Sequence, residues 1–162
     1  MKNARPGSAE MPRLPKETSQ PAEISDATLR SFSGYVMKRA FNAIQADVNA
    51  ALAPLELRML TFSALSVIVD NPGLRQSQLA DTLSIERPNL VIVVDELERR
   101  DLINRNPAPD DRRAYALQAT LRGMRLYKKA LVAVQAHEAR MTRGLSEEDR
   151  QTLIAMLSRI EL

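Results

Sequence analysis

The apolar residues of this chain recur at three- and four-residue steps over several stretches, which is the spacing of one face of an α-helix. This spacing predicts a first helix over about 26–51, ending at Ala53-Pro54, and a second over about 56–69, ending at the breaker cluster Asp70-Asn71-Pro72-Gly73. A long helix is predicted over about 121–143. A last helix begins at Ser146-Glu147-Glu148-Asp149, which is a capping-box pattern.

Residues 74–120 show a different pattern. Two short helical stretches, residues 77–83 and 87–100, are separated by a tight break at Ser84-Ile85. Two strand-like stretches, residues 102–106 and 114–119, follow and flank a charged turn over residues 107–113. Two helices with a tight break, followed by a hairpin with a basic tip, predict a winged helix-turn-helix, which places its second helix in the major groove of DNA.

We therefore predict a mostly α-helical protein with a winged helix-turn-helix over about 55–120, a small β-hairpin wing, and long N- and C-terminal dimerisation helices over about 26–51 and 121–162. A helix of about 23 residues is roughly 34 Å long, which a compact winged helix does not need. A second copy of the chain is the expected packing partner, and an intramolecular bundle in a monomer is the alternative.

The N-terminal residues 1–24 carry four prolines and four basic residues without apolar periodicity. We expect a disordered basic arm there, and one domain over residues 25–162.

Composition argues against several classes of function. The chain has no cysteine and a single histidine, His137, so disulfides and thiolate sites are excluded and no metal site is expected. Motifs of hydrolytic or nucleotide-dependent enzymes are absent from the sequence, so we expect no enzyme and no cofactor. No stretch approaches the roughly 20 apolar residues of a membrane span, and the N-terminus has no signal-like run, which favours a cytoplasmic protein with no membrane partner.

Charge and aromatic content narrow the expected partner. Aromatic residues make up only 4% of the chain, which argues against the stacking platforms that bind single strands or RNA. The net charge of +3 is compatible with a phosphate-bearing partner. Double-stranded DNA is therefore the nucleic acid that the pattern favours.

The predicted recognition helix, residues 87–100, has one apolar stripe of Leu90, Val94 and Leu97, with Val91 and Val93 beside it. The opposite face carries Pro88, Asn89, Ile92, Glu96 and Arg99. Ile92 can contact thymine methyl groups, while Arg87 and Asn89 have the hydrogen-bonding groups that suit guanine and adenine. The alternative is that Arg87 and Asn89 are solvated or bind phosphates. Pro88 fits because the first turn does not need its missing N–H.

Other candidate DNA contacts flank this helix. The N-terminus of the preceding helix can bind a backbone phosphate through free N–H groups, with candidates Arg75, Gln76, Ser77 and Gln78. At the wing tip, Arg112 or Arg113 can enter the minor groove or bind phosphate, and Asp111 can orient an arginine through a charge-assisted hydrogen bond.

Three short motifs run through this region: L-A-x-x-L-x-I, L-x-R-R-x-L-I-x-R and D-R-R-x-Y-x-L-x-A-T-x-x-G. They are carried by Leu79-Ala80, Leu83 and Ile85, then Leu97, Arg99-Arg100, Leu102-Ile103 and Arg105, then Asp111-Arg112-Arg113, Tyr115, Leu117, Ala119-Thr120 and Gly123. The combined pattern resembles the MarR family of bacterial transcriptional regulators over roughly residues 26–162. Two departures are Asp101, where the family usually has glycine, and the apolar pair Val91-Ile92, where it often has polar residues.

The resemblance implies a homodimeric regulator, usually a repressor, that binds pseudo-palindromic operators and is often released by a small, often aromatic, molecule. An aromatic acid or acyl-CoA ligand is one hypothesis, and a ligand-independent or architectural DNA-binding protein is the alternative. Candidate ligand contacts are Phe32, Tyr35, Arg39, Met59 and Phe62, with ordinary core packing as the other interpretation of the same residues. His137 is more typical of a packed or interfacial histidine than of a base or ligand contact.

Overall fold

The computed structural model describes residues 24–108 and 111–160, without the side chains of 108 and 111–114. The expected basic arm lies outside this range except for its last residue. The chain divides into two units, residues up to Val36 and residues from Met37 onward. The long helix that crosses this boundary is α2, Ser33–Leu52.

In the first unit, a short helix α1, Ala27–Arg30, ends before α2 begins. The continuous helix predicted over 26–51 is therefore wrong at its start. Ser31 donates a side-chain hydrogen bond to the Thr28 carbonyl (2.7 Å), which competes with the helical backbone pattern. Asp26 does not cap α1 but accepts hydrogen bonds from Arg30 Nε and from the Tyr35 hydroxyl, both at 2.7 Å.

The second unit contains the remaining elements. A 3₁₀ turn, Ala53–Leu55, follows α2, and Glu56 adopts a left-handed conformation (φ 54°), so the next helix starts later than predicted. The elements then follow in the order α3 Met59–Asp70, β1 Leu74–Arg75, α4 Gln76–Thr82, α5 Arg87–Arg99, β2 Ile103–Ala108, β3 Asp111–Ala119, α6 Leu121–Met141 and α7 Glu147–Ser158.

The sheet has three antiparallel strands in the order β1-β3-β2, so the predicted two-stranded hairpin gains a short third strand. Leu74 pairs with Leu117, and the Gly73 N–H donates to the Leu117 carbonyl at 2.8 Å. Ile103 pairs with Ala119 on the other side of β3. The sheet therefore joins the wing to the segment that leads directly into α4.

Two apolar clusters form the core of the second unit. The larger one packs α3, α4, α5 and the sheet around fully buried Leu65, Leu79, Leu97 and Leu117. The smaller one joins α2, the following turn and α6 through Val48, Leu52, Leu57 and Ala130. Burying a leucine side chain contributes roughly 1.5–3 kcal/mol, so the larger cluster fixes the two helices of the helix-turn-helix against the wing.

The junction between α5 and α6 is close-packed. Asp101, which stands where the MarR family usually has glycine, adopts the left-handed conformation that favours glycine (φ 56°). Its carbonyl accepts the Thr120 hydroxyl (2.8 Å), and Thr120 Oγ1 accepts the Gly123 N–H (2.9 Å), which caps α6. A Cβ on Gly123 would lie 1.9 Å from the Leu102 carbonyl oxygen, so only glycine fits there. This junction fixes where the recognition helix ends relative to α6.

Candidate DNA interface

Helix α5 presents two different faces, and the buried one matches most of the predicted stripe. Leu90, Val94 and Leu97 are fully buried, and Val93 is almost so. Ile92 is 66% exposed, as predicted for a face available to DNA. Val91, which was expected beside the apolar stripe, is 41% exposed and does not belong to the buried face. It lines a cavity of about 260 Å³ between the starts of α4 and α5.

The sequence pattern predicts that Glu96 lies on the polar face of α5, opposite the apolar stripe. The structure shows that Glu96 is not open to solvent there. Its side chain is only 19% exposed because it accepts a hydrogen bond from Arg58 Nη2 at 3.1 Å and lies 3.9 Å from Arg100 Nη1. Arg58 and Arg100 are 38 positions before and four positions after it. Glu96 therefore positions the C-terminal part of α5 against the turn before α3.

The N-terminal turn of α5 is open to solvent. Pro88 lies in the first turn, and Arg87, Pro88 and Asn89 are all exposed. Within the described part of the chain, the side chains of Arg87 and Asn89 have no hydrogen-bond or ion-pair partner. Their donors and acceptors are therefore available to an external partner.

The start of α4 combines a local cap with polar groups. The Arg75 N–H donates to Gln78 Oε1 at 2.7 Å, so the Gln78 side chain closes the first turn, and Arg75 interacts elsewhere in the chain as well. Gln76 and Ser77 are half-buried beside Arg87 around the same 260 Å³ cavity. The structure thus brings these two residues of α4 next to the first residue of α5.

The wing is held against α5 by charge. Arg105 of β2 forms ion pairs with Asp95 and with Glu98, the latter at 3.4 Å. Asp111, Arg112 and Arg113 begin strand β3, but their side chains lie outside the described residues, so their DNA contacts remain predictions.

The candidate ligand residues fall in both units. Met59 and Phe62 pack on the smaller apolar cluster, and Phe62 stacks on Tyr127 with ring centroids 6.1 Å apart. Tyr127 was not among the predicted ligand contacts, although it recurs with Met124 and Leu131 at three- and four-residue steps in the sequence of α6. Arg39 is exposed and already interacts with another group of the chain. Phe32 is 60% exposed, and Tyr35 bonds to Asp26 within the first unit.

His137 is a packed histidine, as expected. It is 3% exposed, and its Nδ1 lies 2.6 Å from Asp47 Oδ2, which also accepts a hydrogen bond from Arg140 at 2.8 Å. The hydrogen bonds to His137 and Arg140 lower the pKa of the Asp47 carboxyl from its ordinary value. This cluster ties α2 to the C-terminal half of α6.

Two further observations concern metals and membranes. Among the described residues, no three His, Cys, Asp or Glu side chains come together as a candidate metal site. Across the same ranges, no single helix is long and apolar enough to cross a membrane, and the pair Ser33–Leu55 and Met59–Asp70 satisfies length and composition only jointly, across a 71° bend.

The geometry defines a class of protein: a winged helix-turn-helix protein with an exposed recognition helix. A family model described as the MarR family matches residues 57–115. The chain superposes on a structure of the transcriptional repressor CouR bound to a 23-mer DNA duplex with a TM-score of 0.82 and 36% identity, covering 86% of this chain and 99% of that one. A CouR structure bound to p-coumaroyl-CoA gives a TM-score of 0.78 and 34% identity, covering 85% and 97%.

A curated relative agrees with these matches. It is a protein of Thauera aromatica named as a transcriptional regulatory protein for the hcr operon, and it is 38% identical over 99 residues. The match covers 61% of this chain and 60% of that protein's length. The chain belongs to the MarR family of transcriptional regulators, so the expected family and the winged-helix fold are confirmed.

Proposed function

We propose that this MarR-family chain is a cytoplasmic homodimeric repressor that binds a pseudo-palindromic operator, has no catalytic role, and leaves the operator when an aromatic acyl-CoA thioester binds. The single observation that carries the DNA part is the unpartnered, exposed N-terminal turn of α5, with Arg87, Asn89 and Ile92 on a helix whose other face is fully buried. An exposed isoleucine three residues after the exposed Asn89 suits a groove that offers both hydrogen bonds and thymine methyl groups.

The dimer part rests on apolar surface that the single chain leaves uncovered. Helix α7 has no buried residue. The large apolar side chains of α7 and of the turn that follows it are 40–58% exposed, namely Leu153, Ile154, Met156, Leu157 and Ile160. The first unit separately exposes Leu29, Phe32 and Val36. Apolar patches of this kind are typical of interaction surfaces, and a second copy of the same helices is the partner that we propose.

The proposed response to an acyl-CoA thioester is supported by similar proteins of known structure and by one group of apolar side chains in this chain. CouR, at 34% identity, is known in complex with p-coumaroyl-CoA. In this chain, Met59, Phe62 and Tyr127 supply stacked rings and a flexible thioether beside the junction of α3 and α6. Such groups suit the aryl part of a thioester. Phe32, Tyr35 and Arg39 remain contacts that we predict from the sequence.

The DNA proposal is tested with an operator obtained by in vitro selection from random duplexes. Replacing Asn89 with Ala should cost about 1–3 kcal/mol on the selected operator and much less on random DNA, measured by fluorescence anisotropy at fixed salt. Equal losses on both DNAs would show that Asn89 reads no base.

A matched arginine pair lies on the same helix. Arg87→Ala should weaken operator binding and reduce the salt dependence, since one phosphate or base contact is lost. Arg99→Ala removes the same charge at the other end of α5 and should change operator affinity less than twofold, on the order of 0.4 kcal/mol. If the two variants behave alike, only the total charge matters and the proposed orientation of α5 is wrong.

The effector proposal is tested by adding p-coumaroyl-CoA to the protein–operator complex, with p-coumarate and coenzyme A as separate controls. We expect release by the thioester, and linkage then requires the operator to lower thioester affinity by the same factor. If no compound in a series of aromatic and aliphatic thioesters changes operator affinity, the ligand-independent regulator is the better description.

A further inference from the structure

A cavity of about 520 Å³ lies at the C-terminal end of α5, between the turn after α2 and the first half of α6. This volume is within the range of roughly 300–1,000 Å³ typical of small-molecule sites. Leu55 and Leu126 supply part of an apolar wall. The charged lining consists of Glu56, Arg100, Arg122, Arg125 and Lys129, and we refer to this space as the basic cavity.

The cations of the basic cavity differ in how they are engaged. Arg100 donates to the carbonyls of Leu55 (Nη2, 3.0 Å) and Glu56, and it lies 3.6 Å from the Glu56 carboxylate. Arg122, Arg125 and Lys129 are exposed and have no ion pair within the described part of the chain. Their spacing of three and four residues places them on one face of α6. The basic cavity therefore carries an uncompensated positive charge.

The position of the basic cavity separates it from the proposed DNA contacts. It lies beside Arg100, which follows the last residue of α5, whereas the proposed readers Arg87 and Asn89 are in the first turn. Thirteen helical residues separate these ends, which corresponds to roughly 20 Å. An operator phosphate bound at the first turn of α5 is therefore too far away to pair with the cations of the basic cavity.

The apolar wall connects the basic cavity to the proposed aryl contacts. Leu55 and Leu126 pack on the same cluster as Met59 and Phe62. A ligand with an apolar acyl group at one end and a polyanion at the other can therefore use both regions without crossing the protein core. Acyl-CoA thioesters have this design, with a 3′-phosphate and a 5′-diphosphate on the nucleotide.

We propose that the basic cavity holds the phosphorylated nucleotide end of the acyl-CoA effector, with Arg122, Arg125 and Lys129 pairing its phosphates. This rests on the proposed function. Arginine suits phosphate because its guanidinium donates two parallel hydrogen bonds, and lysine adds a point charge. The bound anion lies next to Arg100, which ties the end of the recognition helix to the turn after α2. Nucleotide binding at this place is thereby coupled to the position of α5.

The test compares two double variants of equal charge. Arg125→Gln with Lys129→Gln removes one arginine and one lysine from the basic cavity. Lys128→Gln with Arg143→Gln removes the same residue types from exposed positions that do not line the basic cavity. Affinities for p-coumaroyl-CoA, coenzyme A, adenosine 3′,5′-bisphosphate, inorganic phosphate and p-coumarate are measured by calorimetry at two salt concentrations, and operator affinity is measured without ligand.

We expect the cavity variant to bind p-coumaroyl-CoA and coenzyme A about tenfold more weakly, since two exposed charge pairs are lost. The salt dependence of binding should fall, p-coumarate should be unaffected, and the control variant should match the unmodified protein. Without ligand, the cavity variant should bind the operator as tightly as the unmodified protein does. Inorganic phosphate that binds as tightly as the bisphosphate would show a simple anion site and overturn the nucleotide assignment.

Two outcomes separate this inference from the proposed function. If p-coumaroyl-CoA releases the operator but binds both double variants equally, the effector is right and the basic cavity is not its nucleotide site. If coenzyme A binds in a cavity-dependent way but no thioester releases the operator, the site stands and the proposed effector response fails. A loss of operator affinity in the cavity variant, with coenzyme A binding unchanged, would assign these cations to DNA and overturn the inference.

Discussion

Gly123→Ala tests the close contact between α6 and the start of the wing. The new Cβ would lie 1.9 Å from the Leu102 carbonyl oxygen and 2.9 Å from its carbonyl carbon, both backbone atoms that cannot rotate away. Contacts under 3.0 Å are essentially never seen for real Cβ atoms, so α6 and Leu102 must move apart by about 1 Å at least. That movement also lengthens the hydrogen bond that the Thr120 N–H donates to the same Leu102 carbonyl, which is 3.0 Å long.

The expected cost follows from two opposing effects. Overpacking of this kind costs about 1–3 kcal/mol. Replacing a helical glycine with alanine contributes up to about 1 kcal/mol in the other direction. Because the clash is with backbone atoms, the overpacking cost lies near the upper end of its range, at about 3 kcal/mol, so we expect a net loss of about 2 kcal/mol. At about 2–4 °C per kcal/mol for a protein of this size, the Tm should fall by about 4–8 °C.

The assay is thermal unfolding followed by circular dichroism at one fixed protein concentration, since dimerisation makes Tm concentration-dependent. Gly34→Ala is the matched control, because a Cβ at that helical position meets no atom within 4 Å and its φ is not positive. The control should unfold at or slightly above the temperature of the unmodified protein. A Gly123→Ala protein that matches the control would refute the close contact.

Two other predictions follow from the exposed apolar surface of α7 and from the cluster of Asp47, His137 and Arg140. Leu157→Asp in α7 should convert the dimer into a monomer in light scattering, because it places a charge in the proposed interface, whereas Thr152→Asp on the same helix should leave the dimer intact. Asp47→Asn should lower the urea midpoint at neutral pH. Because hydrogen bonds lower the pKa of folded Asp47, its stabilisation is present above the ordinary value of 3.8 and is lost as pH falls through the lower folded value. The two urea midpoints should therefore converge in acid, and a constant difference would contradict this origin.

The helices that could be predicted from sequence are those whose signals are local. The cluster Asp70-Asn71-Pro72-Gly73 marks the end of α3, and Ser146 and Asp149 form the expected capping box, with the Asp149 N–H bonded to Ser146 Oγ at 3.1 Å. The break between α1 and α2 was missed because the apolar stripe continues through it. Strand β1 was missed because two residues carry no periodicity and their pairing partner lies more than 40 positions away.

In the candidate DNA interface, too, features with a local sequence signal were predicted and features that depend on distant residues were not. Helical periodicity alone identified the exposed Ile92 and the buried Leu90. It placed Glu96 wrongly on the exposed face. Glu96 pairs with Arg58, which lies 38 positions earlier in the chain, and the periodicity of α5 carries no information about such a distant contact. The basic cavity was also missed, although the spacing of Arg122, Arg125 and Lys129 was visible in the sequence. Only folding brings Arg100 and Leu55 to that face of α6.

The hydrogen bonds between β1 and β3 have a consequence for engineering operator specificity by exchanging parts between relatives. Leu74 and Arg75 pair with the wing strand, and Arg75 is followed at once by the first residue of α4. The wing and α4 are thus joined through β1, by the chain on one side and by the strand pairing on the other. Arg105 of the wing in turn forms ion pairs with Asp95 and Glu98 of α5. A chimera that exchanges α5 alone breaks these ion pairs unless both acidic residues are kept. The smallest segment that can be transplanted with its own orientation is therefore residues 73–120, not the recognition helix.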